Sequence, residues 1–439
     1  MSCTKDNFIF LPNQNSIYSS SKSIIMKRLF TILIALLAIE TAKANDGAFF
    51  SKGNHLIPIT ESTISVKKEI LTITRVADTI SNWGCLFKVN VYYEFFNPGP
   101  AKDLLVGFES PMPDGNGYDG TLDEAYAGQP FTYDFNVVMN GKKLPYQTAH
   151  VLYNHKKDDF DFTMKTEDYY KKGRIVDMSK EQYRKTIEGI FKGEDVEEYV
   201  NWYGYLFYYV YHFNAHFNEG LNIIEHTYTV KGSALVVMDY MFDYILTAAN
   251  RWANNGIDDF TLVLNMGDHE SFSVEPTFFE TPDEWSFTGK GRVGELDERV
   301  GECEHCPLFH VQSGNLVFNK KNFHPEGELH VMRDNFGFNL YDYENADKEE
   351  INGFVDAFKT KYHHLVLDED WPIERSVFSS EQKRIMKNVP FAYRGYVFKD
   401  KGLQRFFEST TWYVPNPDYQ ADMTKFDKDE KEWVMFWSK

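Results

Sequence analysis

The strongest constraint in this chain is an alternation. From Trp83 the odd positions run Trp83, Cys85, Phe87, Val89, Val91, Tyr93 and Phe95, while Lys88, Asn90 and Glu94 lie between them. Successive side chains of an extended chain point to opposite faces, so this segment is a strand with one buried side. Asn97-Pro98-Gly99-Pro100 closes it as a turn. Phe131, Tyr133, Phe135, Val137 and Met139 repeat the pattern, and Asn140-Gly141 predicts a type I′ hairpin because both residues tolerate positive φ. Tyr205, Phe207, Tyr209, Tyr211, Phe213, Ala215 and Phe217 form a third such face. Asn218-Glu219-Gly220 then predicts a turn into a partner strand ending near Val230. Phe260, Leu262, Leu264 and Met266 follow the Asn254-Asn255-Gly256 turn as a further strand.

These patterns predict a mainly β chain with a helical C-terminal module. Residues 45–270 read as a β-sandwich-like domain carrying a partly helical insertion at about 151–200, where Ser179 is placed as a helix N-cap. Tyr240 to Trp252 fits strand and helix equally. Residues 271–370 read as a β-rich extension followed by a helix with Ile351, Phe354, Val355 and Phe358 at helical spacing. Residues 371–439 read as a small α-helical domain, ending in a helix that carries Trp433, Phe436 and Trp437 on one side.

The first 44 residues read as an address. Lys27 and Arg28 precede an apolar run from Leu29 to Ile39, and Ala42-Lys43-Ala44 supplies a small-x-small site before Asn45. Met26 is then the natural start, with Met1 to Ile25 upstream of it. The apolar run is too short to cross a bilayer as a helix. Cleavage between Ala44 and Asn45 takes the net charge from −19 to −22 and leaves Cys85, Cys303 and Cys306 for an oxidising compartment. So acidic a chain, with 46 Lys and Arg against 65 Asp and Glu, is ill suited to nucleic acid, whose phosphates need basic patches.

The C-terminal segment resembles the YARHG domain, a small module of bacterial extracytoplasmic proteins. The resemblance rests on Lys387-Asn388, then Phe391-Ala392-Tyr393-Arg394-Gly395-Tyr396-Val397-Phe398, Leu403 to Phe407, and Trp412-Tyr413-Val414-Pro415. Tyr393 stands where the motif has Arg, Arg394 stands where it has His, and Pro390 is unusual inside the motif helix. No ligand role tied to that His carries over. The resemblance implies possible binding positions at Asn388, Phe391, Ala392, Arg394, Gly395, Tyr396, Phe398, Trp412 and Tyr413. The preceding part resembles an uncharacterised family of bacterial secreted β domains through Phe108 with Pro111-Met112-Pro113, Asn140-Gly141, His226-Thr227-Tyr228, and Tyr244-Ile245-Leu246 before Trp252. Neither family implies an activity.

Several constellations suggest chemistry. Cys303-Glu304-His305-Cys306, with His310 nearby, reads as a disulfide closing a tight loop; half a zinc site and a redox pair are the alternatives. Cys85 reads as a buried, inert thiol. His212, His216 and His226 are separated if Phe217 pairs with Asn222, which sets Phe213 opposite His226 and leaves His212 and His216 exposed. Asp114 to Gly120 departs from a calcium loop at Tyr118 and Asp119. Gly289-Lys290-Gly291-Arg292-Val293-Gly294 has the dinucleotide spacing without the helix that should follow. Tyr203 and Tyr208 are free for a binding surface if the odd face is core. No nucleophile motif stands out.

The resulting expectation is an exported, non-enzymatic envelope protein without cofactor or metal, binding an envelope polymer or another exported protein. The contrasting expectation is a hydrolase acting on envelope polymer through a dispersed carboxylate pair.

Overall fold

The computed structural model describes residues 46–52, 55–58, 61–77, 85–110, 126–128, 131–152, 175–176, 179–191, 207–235, 238–295, 306–334, 348–360, 365, 367 and 373–439. The proposed signal and its cleavage site, Trp83, Tyr203, the 114–120 loop and Cys303 lie outside them.

In chain order the first elements are β1 (Asp46–Lys52), β2 (His55–Pro58), β3 (Ser65–Ala77), β4 (Cys85–Asn97), β5 (Lys102–Ser110), β6 (Thr132–Met139), β7 (Lys142–Lys143), β8 (Gln147–Leu152), β9 (Ile175–Val176) and α1 (Lys180–Phe191). There follow β10 (Phe207–Phe217), β11 (Gly220–Lys231), β12 (Ser233–Leu235), β13 (Met238–Tyr244), β14 (Ile257–Asn265), β15 (Glu270–Val274), β16 (Trp285–Phe287), β17 (Lys290–Glu295), β18 (Pro307–Ser313), β19 (Leu316–Phe323) and β20 (Leu329–Asp334). The C-terminal helices are α2 (Lys348–Thr360), α3 (Ser380–Tyr393), α4 (Lys401–Glu408) and α5 (Lys428–Ser438).

The strands make three sheets: a closed barrel in the order β1-β2-β9-β8-β10-β5, an eight-stranded sheet β16-β19-β14-β3-β4-β11-β6-β7, and a six-stranded sheet β12-β13-β20-β15-β18-β17. The expected alternation holds. Cys85, Phe87, Val89, Val91, Tyr93 and Phe95 are all buried on β4, as are Phe260, Leu262, Leu264 and Met266 on and just beyond β14. Asn140 and Gly141 take φ of 50° and 78°, so the type I′ turn forms between β6 and β7. Ser179 and Gln182 form the predicted cap of α1, each side chain bonded to the other's amide. The ambiguous stretch resolves into strand β13 and a short 3₁₀ turn over Thr247–Arg251.

Strand partners differ from expectation. β10 and β11 do not pair with each other: β10 lies between β5 and β8, and β11 between β4 and β6. Gly220 has φ of 87°, and Asn222, fully buried, accepts from the Asn218 amide at 2.9 Å while donating to the Asn218 carbonyl at 2.8 Å. These local bonds bend the chain out of one sheet and into the next. The odd face of β10 still points inward, but it packs on the other layer, with Phe217 5.5 Å from Phe95 and Tyr211 4.7 Å from Phe135. His212 is therefore buried rather than exposed, sitting on an interior barrel strand opposite Gly107 and Gln147. His216 is exposed and paired to Asp103 at 2.8 Å, whereas His226 is buried in the other sheet, where burial lowers its pKa to about 3.

The expected division at residue 270 falls between paired strands. β19 completes the eight-stranded sheet beside β14, and β20 pairs with β13. Parallel pairing of β14 with β3 brings the early and late halves of the β region together. A buried polar knot ties the eight-stranded sheet to the six-stranded one. Glu270 is 4% exposed and receives Arg75 Nη2 at 2.8 Å, Arg333 Nη1 at 2.6 Å and the Tyr240 hydroxyl at 3.0 Å. Burial works against the Arg333 charge, but Glu270 beside it prevails and raises the Arg333 pKa. Burial, then the Glu270 charge, raises that of Tyr240.

The glycines of Gly289 to Gly294 serve close packing. A Cβ at Gly289 would strike the Ser313 backbone, one at Gly291 the Phe287 ring, and one at Gly294 the Thr411 side chain. This stretch is strand β17, paired with β18, and not a phosphate loop.

The C-terminal helices have their own apolar core, in which Phe358, Met386, Val389, Phe407, Trp412 and Trp433 are fully buried. Pro390 inside α3 has a specific consequence. It lacks an N–H, so the Met386 carbonyl one turn earlier loses its helical donor. The Trp433 indole of α5 supplies the replacement, Nε1 donating to that carbonyl at 2.7 Å. The unusual proline thus opens an acceptor that fixes α5 on α3.

This pairing predicts that Trp433→Phe destabilises the protein by about 1–3 kcal/mol, because a buried carbonyl is left unpaired. Pro390→Ala restores a backbone donor and recovers part of that loss in the double variant. Urea unfolding of the two single variants and the double variant measures the coupling; additive losses would contradict it.

Candidate functional site

Each position of the C-terminal motif has a definite structural place. Arg394 makes two bonds to Glu430, at 2.6 Å and 2.8 Å, and lies 4.5 Å from the centre of the Phe426 ring. A fork on a carboxylate with an aromatic face above it is well suited to guanidinium. Asn388 bonds back to the Arg384 carbonyl at 2.7 Å, and the Phe391 ring packs 4.8 Å from Phe426. Trp412 is fully buried and donates from Nε1 to the Phe358 carbonyl at 2.6 Å, tying α2 to the motif. Tyr413 is buried and donates its hydroxyl to the Tyr396 carbonyl at 2.9 Å. Ala392 and Phe398 are buried, Phe398 stacking 5.0 Å from Phe407. Within the motif, Ala392, Gly395, Phe398, Trp412 and Tyr413 are thus buried, while Asn388, Phe391, Arg394 and Tyr396 are half-buried.

Part of it also forms a seam with the β region. Gly395 takes φ of 80°, and a Cβ there would strike both the Gln312 amide and the Val414 carbonyl. Gln312 Nε2 donates to that carbonyl at 2.6 Å, and Lys290 Nζ reaches Asn416 Oδ1 at 2.8 Å. The Tyr393 hydroxyl donates to the His269 carbonyl, and His269 Nδ1 lies 3.2 Å from the Tyr393 carbonyl. β18 is buried along both faces from Pro307 to Gln312, because the sheet core covers one and the helical module the other. Cys306, just before its start, is buried, and so is Cys85 on β4.

An open groove of about 800 Å³ lies between α2, the 375–379 turn, α3 and Phe406 of α4. Its floor is Ile351, Val355, Val377, Phe378, Ile385 and Phe406, and its rim carries Asn352, Asp356, Lys359, Ser376, Glu381 and Gln382. Gln382 Nε2 donates to Asn352 Oδ1 at 2.9 Å, joining the two helices along the rim. Lys359 lies 2.6 Å from Asp356 and 5.6 Å from the centre of the Phe406 ring. None of the nine motif positions expected to bind lines this groove. Its apolar residues are legible in sequence only as helix core, since a gap between two helices depends on their separation. Among the described residues no group of three or more His, Cys, Asp or Glu is placed to hold a metal ion.

A protein from Legionella pneumophila subsp. pneumophila str. Philadelphia 1, described as a "putative nutrient binding protein", aligns in structure over 90% of this chain and 96% of its own, at 15% identity and a TM-score of 0.45. An M1 zinc metallopeptidase from Deinococcus radiodurans aligns over 63% of this chain and 43% of its own, at 9% identity and a TM-score of 0.25. Likeness at these scores says nothing of what this chain binds. No curated protein matches the chain. Residues 374–438 match the YARHG domain, and that span holds α3, α4 and α5 together with the Trp412-Tyr413-Val414-Pro415 segment. The C-terminal module of this chain is a YARHG domain.

Proposed function

We propose that this chain is an exported, non-catalytic binding protein of the cell envelope, and that its ligand lies in the groove between α2 and α3. The observation that carries this reading is the groove itself. It has the volume of a ligand site, apolar lining residues, and polar ones that include two amides, the Lys359–Asp356 pair and Glu381. A floor of this kind binds apolar surface, while the Asn352 and Gln382 amides give direction to a polar chain. The YARHG domain supports an extracytoplasmic setting, as do the basic, apolar and Ala-Lys-Ala segments before Asn45. Among the described residues no helix is long and apolar enough to cross a membrane. An envelope polymer or another exported protein is the proposed partner.

Export also motivates a pairing of Cys303 with Cys306. Mass spectrometry of the mature protein is expected to show both cysteines blocked to alkylation until reductant is added, with Cys85 free throughout. Alkylation of Cys303 without reductant would overturn the pairing.

For the ligand, purified mature protein is expected to be retained by isolated envelope polymer or by the extracted envelope protein fraction. Val377→Glu places a charge on the groove floor and should weaken retention at least tenfold while leaving the melting temperature within a few degrees. Undiminished retention by this variant would remove the groove from the account, and release of soluble polymer fragments would replace binding with hydrolysis.

A further inference from the structure

His310 sits on β18 with its Nδ1 2.7 Å from Ser271 Oγ. Its Nε2 is buried and has no hydrogen-bond partner among the described residues. The ring is closed off by two side chains of the YARHG domain, Tyr393 at 5.1 Å and Trp412 at 6.5 Å between ring centres. His310 is 1% exposed, so it is dry only while that domain is seated on the sheet.

The charged and titratable groups around it come from every packed element. β17 contributes Arg292, and β15 with its preceding turn contributes Asp268, His269 and Glu270. Glu270 is already held by Arg75 and Arg333. α3 contributes Tyr393 and Arg394, the latter paired with Glu430 of α5. The charges that act on His310 itself, Arg292 and His269, share the sign it would acquire.

We propose that the seam between the YARHG domain and the six-stranded sheet is an acid-released latch, opened when His310 and its neighbour His269 take up protons while the sheets stay folded. Whichever nitrogen takes the proton, the ring then carries a charge and an N–H on Nε2 for which the described residues supply no acceptor. Lifting the domain exposes the ring to water and removes that penalty. The direction follows from linkage. Burial, then His269 and Arg292, lowers the seated His310 pKa to about 3 from an ordinary 6.5. Burial, then Arg394, lowers that of His269 as well. The seated form is therefore favoured above pH 6.5 and loses ground as pH falls from there toward 3.

Hydrogen–deuterium exchange on the full mature chain, corrected for intrinsic rates, tests this at pH 7.5 and 5.0. For His310 alone the open fraction at the seam should rise roughly 30-fold between these values. Peptides spanning 388–398 and 408–416 should report the rise, and those spanning 85–97 should not. His310→Gln should cut the rise at least fivefold, with His269 supplying the remainder. An equal rise in His310→Gln overturns the proposal. So does an NMR titration of the wild-type ring that shows His310 protonating near its ordinary pKa with the seam still protected.

Discussion

The carboxylate of Glu270 is the constraint on which this structure most depends. It accepts from guanidinia of β3 and β20 and from a tyrosine of β13 while sitting on β15. Two half-buried cations converge on one buried anion, with Asp239 3.1 Å from Arg333 at its edge. Taking these groups out of water is costly, and the arrangement is tolerable only when every partner is present. The same carboxylate contributes to the raised pKa of Tyr393, after burial, so the field of the knot reaches the seam with the YARHG domain. Strands from both ends of the β region are bound to one point.

Around this knot the chain passes between sheets at short polar turns. Asn97 donates to the Pro100 carbonyl at 3.0 Å where β4 leaves for β5, and Asn222 performs the same service where β10 leaves for β11. Each amide satisfies backbone groups that a hairpin ladder would otherwise use. Two layers then meet face to face instead of edge to edge, and the aromatic side chains of β4, β6 and β10 fill the space between them.

This explains what was legible in the sequence. The inward face of β4 could be read because side chains of a strand alternate between its faces, and the α1 cap could be read because a cap is local. Strand partners could not. The Phe217–Asn222 pairing satisfies apolar matching equally well within a ladder or across two layers, and only distant strands decide between them. Glu270 left a trace, being in phase with the buried Phe272 and Val274. Nothing in that phase reveals Arg75 or Arg333, which lie far away in the chain. The YARHG motif was legible in full, but its side chains proved to build the module and its seam, while the groove arises from helix spacing that no motif records. Pro390 looked anomalous until Trp433 supplied the bond it removes.

The Glu270 charge, and not merely its shape, holds the β region together. Glu270→Gln keeps the shape and removes the charge, leaving two half-buried guanidinia without their shared anion, Arg333 with Asp239 alone and Arg75 with no carboxylate among the described residues. Urea unfolding of the mature protein at pH 7.5 is the most direct test. A loss of about 3–5 kcal/mol is predicted, and a loss below about 1 kcal/mol, the scale of an ordinary hydrogen bond, would contradict the claim.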